Sequence, residues 1–233
     1  LLAGALLGAL LLLLLAITSL RWFPPLTSAF MLEARVHALR TGDRRYHTDY
    51  RWVDLEAISP QAALAVIAHE DQNFPFHAGF DFNSIREAVR SHARGHRLRG
   101  ASTISQQVAK NLFLSPEHSL VRKGIEAGLT VLIEALWPKE RILEVYLNIA
   151  QFGHGIYGVE AAAQRFFHQS ARGLTREESA LLAAALPNPE RLRVDAPSRY
   201  LLSERDRVLG QMSNLGGPAY LDAIEQPRGP QPQ

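Results

Sequence analysis

The chain has 233 residues, 47% hydrophobic and 21% charged, which suits one compact domain with an appendage and excludes global disorder. It has no cysteine, which excludes disulfides, thiolate zinc sites and a cysteine nucleophile. Its 25 basic residues face 23 acidic ones, so no overall basic character points to nucleic acid.

Residues 1–20 carry no charge, and at ~1.5 Å per residue a helix of that length covers roughly 30 Å, the hydrocarbon thickness of a bilayer. Arg21 and Trp22 suit the headgroup layer, and Pro24-Pro25 stop the helix. A cleaved signal peptide would have a shorter apolar run and a small-residue cleavage site before Arg21. A membrane anchor is therefore expected over 1–22. Residues 23–58 are Arg-rich, without strand alternation, and read as a membrane-proximal connector.

From residue 59 the pattern is helical. Ser59-Pro60 opens a helix whose apolar face (Ala63, Val66, Ile67) ends at His69-Glu70. Asp81 caps a helix carrying Phe82, Ile85 and Val89, and residues 90–100 form a basic loop. Ser102 is expected to cap a helix running through Leu112, and Ser119 one through about Leu136. Further helices are expected over 139–148, 159–167, from the capping box at Thr175–Glu178, and over 198–213. The soluble part, 59–225, reads as one mainly α domain, with a disordered tail at 226–233.

Five stretches carry chemistry. In EDQNFPFHAGFD, Glu70 and Asp71 sit together at a helix C-terminus, where the helix dipole disfavours negative charge. The first of them should hold its proton more tightly than a free carboxyl, as a general base near neutral pH must. A solvated helix end would have the same composition. GASTISQQVAKN brings hydroxyls to a helix start, with Gln106 and Lys110 on one face and Gln107 and Asn111 on another, suited to a polyhydroxy or phosphorylated ligand or simply to solvent. RKGIE places Arg122 and Lys123 within one turn of Glu126. In KERILEVYLN, Lys139 is assigned to helix structure and Glu144 or Asn148 to backbone bonding. GHGIYGVEAAAQRFF is glycine-rich, but no strand is expected before it. His69, His77 and His154 have no metal-ligand spacing, so no protein-ligated metal is expected.

Together, in this order, the stretches resemble the peptidoglycan glycosyltransferase family 51, most of all its monofunctional, membrane-anchored members. The resemblance implies a lysozyme-like, mainly α fold preceded by one transmembrane helix. The activity it implies is polymerisation of lipid II into β-1,4 glycan with inversion and release of undecaprenyl diphosphate. By that resemblance Glu70 is the general base, and Glu126 positions the cations or assists departure at the donor phosphate, with the two well beyond about 5.5 Å apart. Lys110, Arg122 and Lys123 hold the diphosphate, and Ser102, Thr103, Gln106, Gln107 and Asn111 contact substrate.

His118 stands where family members often carry arginine. All three lysines of this arginine-using chain, 110, 123 and 139, fall inside the motifs. No tightly bound cofactor is implied, with Mg2+ or Mn2+ entering, if at all, on the substrate diphosphate. Implied partners are the bilayer, the polyprenyl-linked glycan, and penicillin-binding or division proteins. The implied location is the outer face of the bacterial cytoplasmic membrane. Two other readings stay open: a lysozyme-like hydrolase or lytic transglycosylase, and a non-catalytic membrane-tethered scaffold.

Overall fold

The structure, a computed structural model, describes residues 2–93, 102–116 and 119–225. Of the expected basic loop, residues 90–93 continue the preceding helix instead, and 94–100 lie outside the described residues, as do His118 and the C-terminal tail. The fold is mainly α, as the helical periodicity predicts.

Its centre is helix α3 (Pro60–Glu70), capped by the Ser59 hydroxyl and buried all round from Ala62 to Ala68. A helix buried on every side needs small side chains where neighbours cross, and α3 supplies alanine at 62, 63, 65 and 68. It packs against α9 (Arg176–Ala185), itself alanine-rich, and against α10 (Arg199–Asn214). On the other side of the site, α5 (Ile104–Phe113) packs on α6 (Leu120–Leu136) and α7 (Lys139–Ile149). Helix α4 (Phe82–Ala93) starts at Asp81, whose carboxylate accepts from the Ser84 amide (2.9 Å), as expected for a cap. Helix α8 (Val159–Phe167) and a short α11 (Asp222–Glu225) complete the helices of the described residues.

Residues 23–58 are more than a connector. They include helix α2 (Ala29–Thr41), capped by the Ser28 hydroxyl, with Met31 buried and the helix packed on α5. They also include strand β1 (Asp49–Tyr50), which pairs in parallel with β3 (Ile156–Tyr157); β3 pairs antiparallel with β2 (Gln151–Gly153). So a strand does precede the glycine-rich motif, contrary to expectation. Gly155 makes the tight turn possible with φ +72°, and a Cβ there would lie 2.3 Å from the His47 carbonyl oxygen. Asn148 ties the segment to α7 by accepting from Val53 N (2.9 Å) and donating to Val53 O (2.9 Å), while Glu144 accepts from Leu55 N (3.0 Å).

The uncharged helix α1 (Leu2–Ser19) rises about 27 Å over its 18 residues. Its last turn is gripped by the domain. Ile17 is fully buried, its carbonyl accepts from Trp137 Nε1 (2.8 Å), and Arg141 donates to the carbonyls of Leu20 (3.0 Å) and Phe23 (2.7 Å). Among the described residues no helix is long and apolar enough to cross a membrane.

Candidate active site

Glu70 is the last residue of α3, and Asp71 is its C-cap. The two acids have different fates. Asp71 is spent on structure: both carboxylate oxygens face His77 Nε2 (2.9 and 3.0 Å), and one also accepts from Ile104 N (2.9 Å) at the start of α5. Gly79 N donates to His77 Nδ1 (3.1 Å), which places the ring hydrogen on Nε2, donating to Asp71. The Thr103 hydroxyl then donates to Gly79 O (2.6 Å), locking the first motif onto the second. Gly79 has φ +88°, and a Cβ would approach Thr130 Cγ2 to 2.7 Å, so only glycine fits.

Glu70 is held from other elements. Its Oε2 accepts from Gln107 Nε2 (2.7 Å) on α5, and its Oε1 lies 3.5 Å from His69 Nε2. Burial lowers the His69 pKa to about 4, helped by Arg207, so this ring is neutral at pH 7 and forms no ion pair there. Burial also raises the Glu70 pKa above the ordinary 4.5; the Gln107 bond and the Lys110 charge oppose the rise, and Asp71 adds to it. That is the carboxylate the sequence asks for. It lines a cleft of 290 Å³ with Ser102, Asn73 and Asp81.

The cations gather beside it. Lys110 on α5 is buried enough for its pKa to fall below 10.5; Glu126 and Glu70 oppose that fall, and Arg122 and Lys123 add to it. On α6, Glu126 is 2% exposed and accepts from Arg122 Nη1 (3.2 Å) and from Lys123 Nζ. One carboxylate thus sets two cations, and its field reaches a third. Arg122 Nε is buried without a hydrogen-bond partner among the described residues, a donor still to be satisfied. Lys139 is elsewhere: its ammonium pairs with buried Glu134 (2.7 Å) and lies 4.3 Å from the Phe74 ring centroid, a structural role.

Other expected contacts are rearranged. Thr103, not Ser102, is the N-cap of α5, because Gln106 stands three residues after it and completes the reciprocal bonds, Gln106 N to Thr103 Oγ1 (3.2 Å) and Thr103 N to Gln106 Oε1 (3.0 Å). The Thr103 hydroxyl and the Gln106 side-chain oxygen are therefore engaged with the fold. The polar face turned to Glu70 is Gln107 with Lys110, rather than Gln106 with Lys110. Asn111 is buried at 8% exposure, with Oδ1 lacking a partner among the described residues, and Ser102 is exposed at the cleft. No group of three His, Asp or Glu side chains among the described residues is arranged to hold a metal ion. The sequence reading missed three neighbours: His69, Phe30, whose ring centroid is 5.4 Å from Lys110 Nζ, and Tyr146, which donates to Gln107 Oε1 (3.1 Å).

The two pKa displacements predict the pH dependence of any reaction needing Glu70 as carboxylate and Lys110 as ammonium. Activity rises as pH climbs through a Glu70 pKa displaced above 4.5, and falls as it passes a Lys110 pKa displaced below 10.5. A bell narrowed from both sides is expected for kcat/KM, and Lys110→Arg should move only its alkaline limb outward. Initial rates measured from pH 4 to 10 check both limbs.

A family model described as Transglycosylase matches residues 37–213. The proteins called biosynthetic peptidoglycan transglycosylase from Escherichia coli strain ATCC 8739 and from Escherichia coli O1:K1 / APEC are each 57% identical over 195 residues, covering 83% of this chain and 81% of theirs. The matched region contains every residue of the site just described except Phe30.

Proposed function

This chain belongs to the transglycosylase family, and from that premise we propose that it polymerises lipid II into peptidoglycan glycan strands on a lysozyme-like scaffold. The observation that carries the reading is one desolvated ammonium, Lys110, in the field of two carboxylates with different tasks, Glu70 and Glu126. Glu70 removes the proton from the 4-hydroxyl of the incoming acceptor sugar. The oxygen attacks the anomeric carbon of the donor as the bond to its lipid diphosphate breaks, so an α-linked donor gives a β linkage in one displacement. The diphosphate leaves as an anion. Lys110, Arg122 and Lys123 receive its charge, with Arg122 Nε as a waiting donor. Ser102 and Gln107 border Glu70 and contact the acceptor. Thr103 and Gln106 hold the start of α5 in place, and Asn111, whose Oδ1 has no partner among the described residues, is left to contact substrate.

A hydrolase of related fold needs an acid for a sugar leaving group and has no use for three clustered cations. That favours transfer. We assign the protein no resident cofactor; a divalent ion would arrive on the substrate diphosphate.

We also assign the bilayer as its surface. Leu7, Leu11, Leu12 and Leu15 of α1 are exposed, as are Trp22, Phe23 and Leu26 just after it and Leu120, Val121 and Ile125 on α6, which packs on α1. With the last turn of α1 held by the domain, these exposed apolar side chains set the domain at the headgroup layer. We place the catalytic domain on the outer face of the cytoplasmic membrane, at the level of its lipid-linked substrate, as the family resemblance implies.

The test is incubation of the protein with labelled lipid II and, separately, with isolated sacculi. Longer glycan from the first and no released muropeptides from the second is expected. Muropeptide release without glycan growth would replace this reading with the hydrolase one.

A further inference from the structure

We propose that Tyr146 is a positioning residue for the Glu70 carboxylate, acting through the side-chain amide of Gln107; this rests on the assignment of Glu70 as general base. Tyr146 is on α7 and is 1% exposed, so its hydroxyl cannot turn to solvent. It donates to Gln107 Oε1 (3.1 Å), and Gln107 Nε2 donates to Glu70 Oε2 (2.7 Å). The three groups form a chain running from the core to the cleft.

The amide is the ambiguous link. A half-turn of the Gln107 terminus would exchange its oxygen and nitrogen, presenting an acceptor to Glu70 in place of a donor. Only a protonated Glu70 tolerates an acceptor there. In that flipped state the buried Tyr146 hydrogen would also lose its acceptor, the unfavourable case for a desolvated donor. Tyr146 therefore biases the amide toward the orientation that favours the carboxylate. Burial keeps its own hydroxyl protonated well above pH 10, so the donor is present throughout the working range.

The other groups acting on Glu70 are accounted for. Asp71 follows it, and His69 is neutral at its Oε1. Lys110 acts from α5 and is itself set by Arg122, Lys123 and Glu126 of α6. Arg207 of α10 acts on His69, and Tyr220 of the turn at 217–221 bonds Gln72 O rather than the carboxylate. None of these fixes which end of the Gln107 amide faces Glu70. Only Tyr146 does.

The test is Tyr146→Phe in the full chain, which keeps the ring and its packing and removes the hydroxyl. The acid limb of the polymerisation profile is expected to move to higher pH by about half to one unit, with KM for lipid II unchanged and rates above the limb within about threefold of the parent. Gln107→Met should shift the limb the same way, and Tyr146→Phe should add no further shift in that background, because both act through one amide. A carbon-13 titration of the Glu70 carboxyl, independent of turnover, should show the same displacement. An unmoved limb and titration in Tyr146→Phe, or a full second shift in the Gln107→Met background, would overturn the inference. Those outcomes leave the base assignment intact, whereas undiminished polymerisation by Glu70→Gln would remove it whatever Tyr146 does.

Discussion

Replacing Glu70 by glutamine is expected to reduce the rate of glycan polymerisation by about 10²–10⁴-fold, the range a positioned general base supplies. Glutamine keeps the size of the side chain and can still meet the Gln107 amide through its own oxygen, so the cleft keeps its shape. What it loses is the ability to accept the acceptor's proton. Stability should move the opposite way. The folded-state pKa of Glu70 is raised, so wild type loses stability as pH rises through that value, where the buried carboxyl must charge. Glu70→Gln has no such loss. It should unfold at a higher temperature than wild type near pH 7, and the gap should close below the unfolded-state value near 4.5. A thermal melt at pH 4 and pH 7 beside the rate measurement separates lost chemistry from lost fold.

The second large effect is expected at Glu126. This carboxylate is 2% exposed and is shared by Arg122 and Lys123, and its charge is the largest influence holding the Lys110 ammonium protonated. Glu126→Gln leaves three cations without their common counter-charge. Diphosphate binding by itself should not weaken, because the substrate supplies negative charge in place of the carboxylate. The cations are no longer held where charge develops as the bond breaks, so kcat should fall by about 10²-fold while KM holds or drops. The alkaline limb of the profile should also move to lower pH, since Lys110 loses the field that opposed its desolvation. The stability cost should approach the ~3–5 kcal/mol of breaking a buried pair, because Arg122 is only 14% exposed, although Lys123, at 49%, solvates readily. A raised KM at unchanged kcat would mean that Glu126 binds substrate uniformly rather than arranging the cations.

How much of this was written in the residues depends on the range of the signal. The starts of helices α3, α6 and α9 were legible because their N-caps (Ser59, Ser119, Thr175) are local and chemically distinct. Helix α5 was misplaced by one residue because Ser102 and Thr103 are both acceptable caps; Gln106 decides between them by reaching back, and that same reach removes it from the face turned to Glu70. The small sheet was illegible. Its strands are two or three residues long, and β1 finds β3 more than a hundred residues away, a register that no local pattern encodes. Residues 23–58 looked like a connector for a similar reason: α2, with Met31 and Ala38 buried, is held by packing on the distant α5 rather than by any strong periodicity of its own.

Within the site, Gln107 and Lys110 could be singled out because polar groups repeated on a helix face are poor core material, whereas Glu70, Arg122, Lys123 and Glu126 stood out through the resemblance their ordered motifs bear to the family. Tyr146 could not. A single aromatic residue among Ile142, Val145 and Leu147 is indistinguishable from core until α7 is docked against α5. His69 was hidden differently, because its role at Glu70 depends on a neutral ring that only burial produces.

The most direct test of the central claim is the anomeric configuration of the glycan made from α-linked lipid II, read by nuclear magnetic resonance of the polymer. A carboxylate at 70 that takes a proton from the acceptor, opposite cations that take the diphosphate, gives β linkages throughout. Retained α linkages would mean two displacements through an intermediate attached to the enzyme, and would contradict the role given to Glu70.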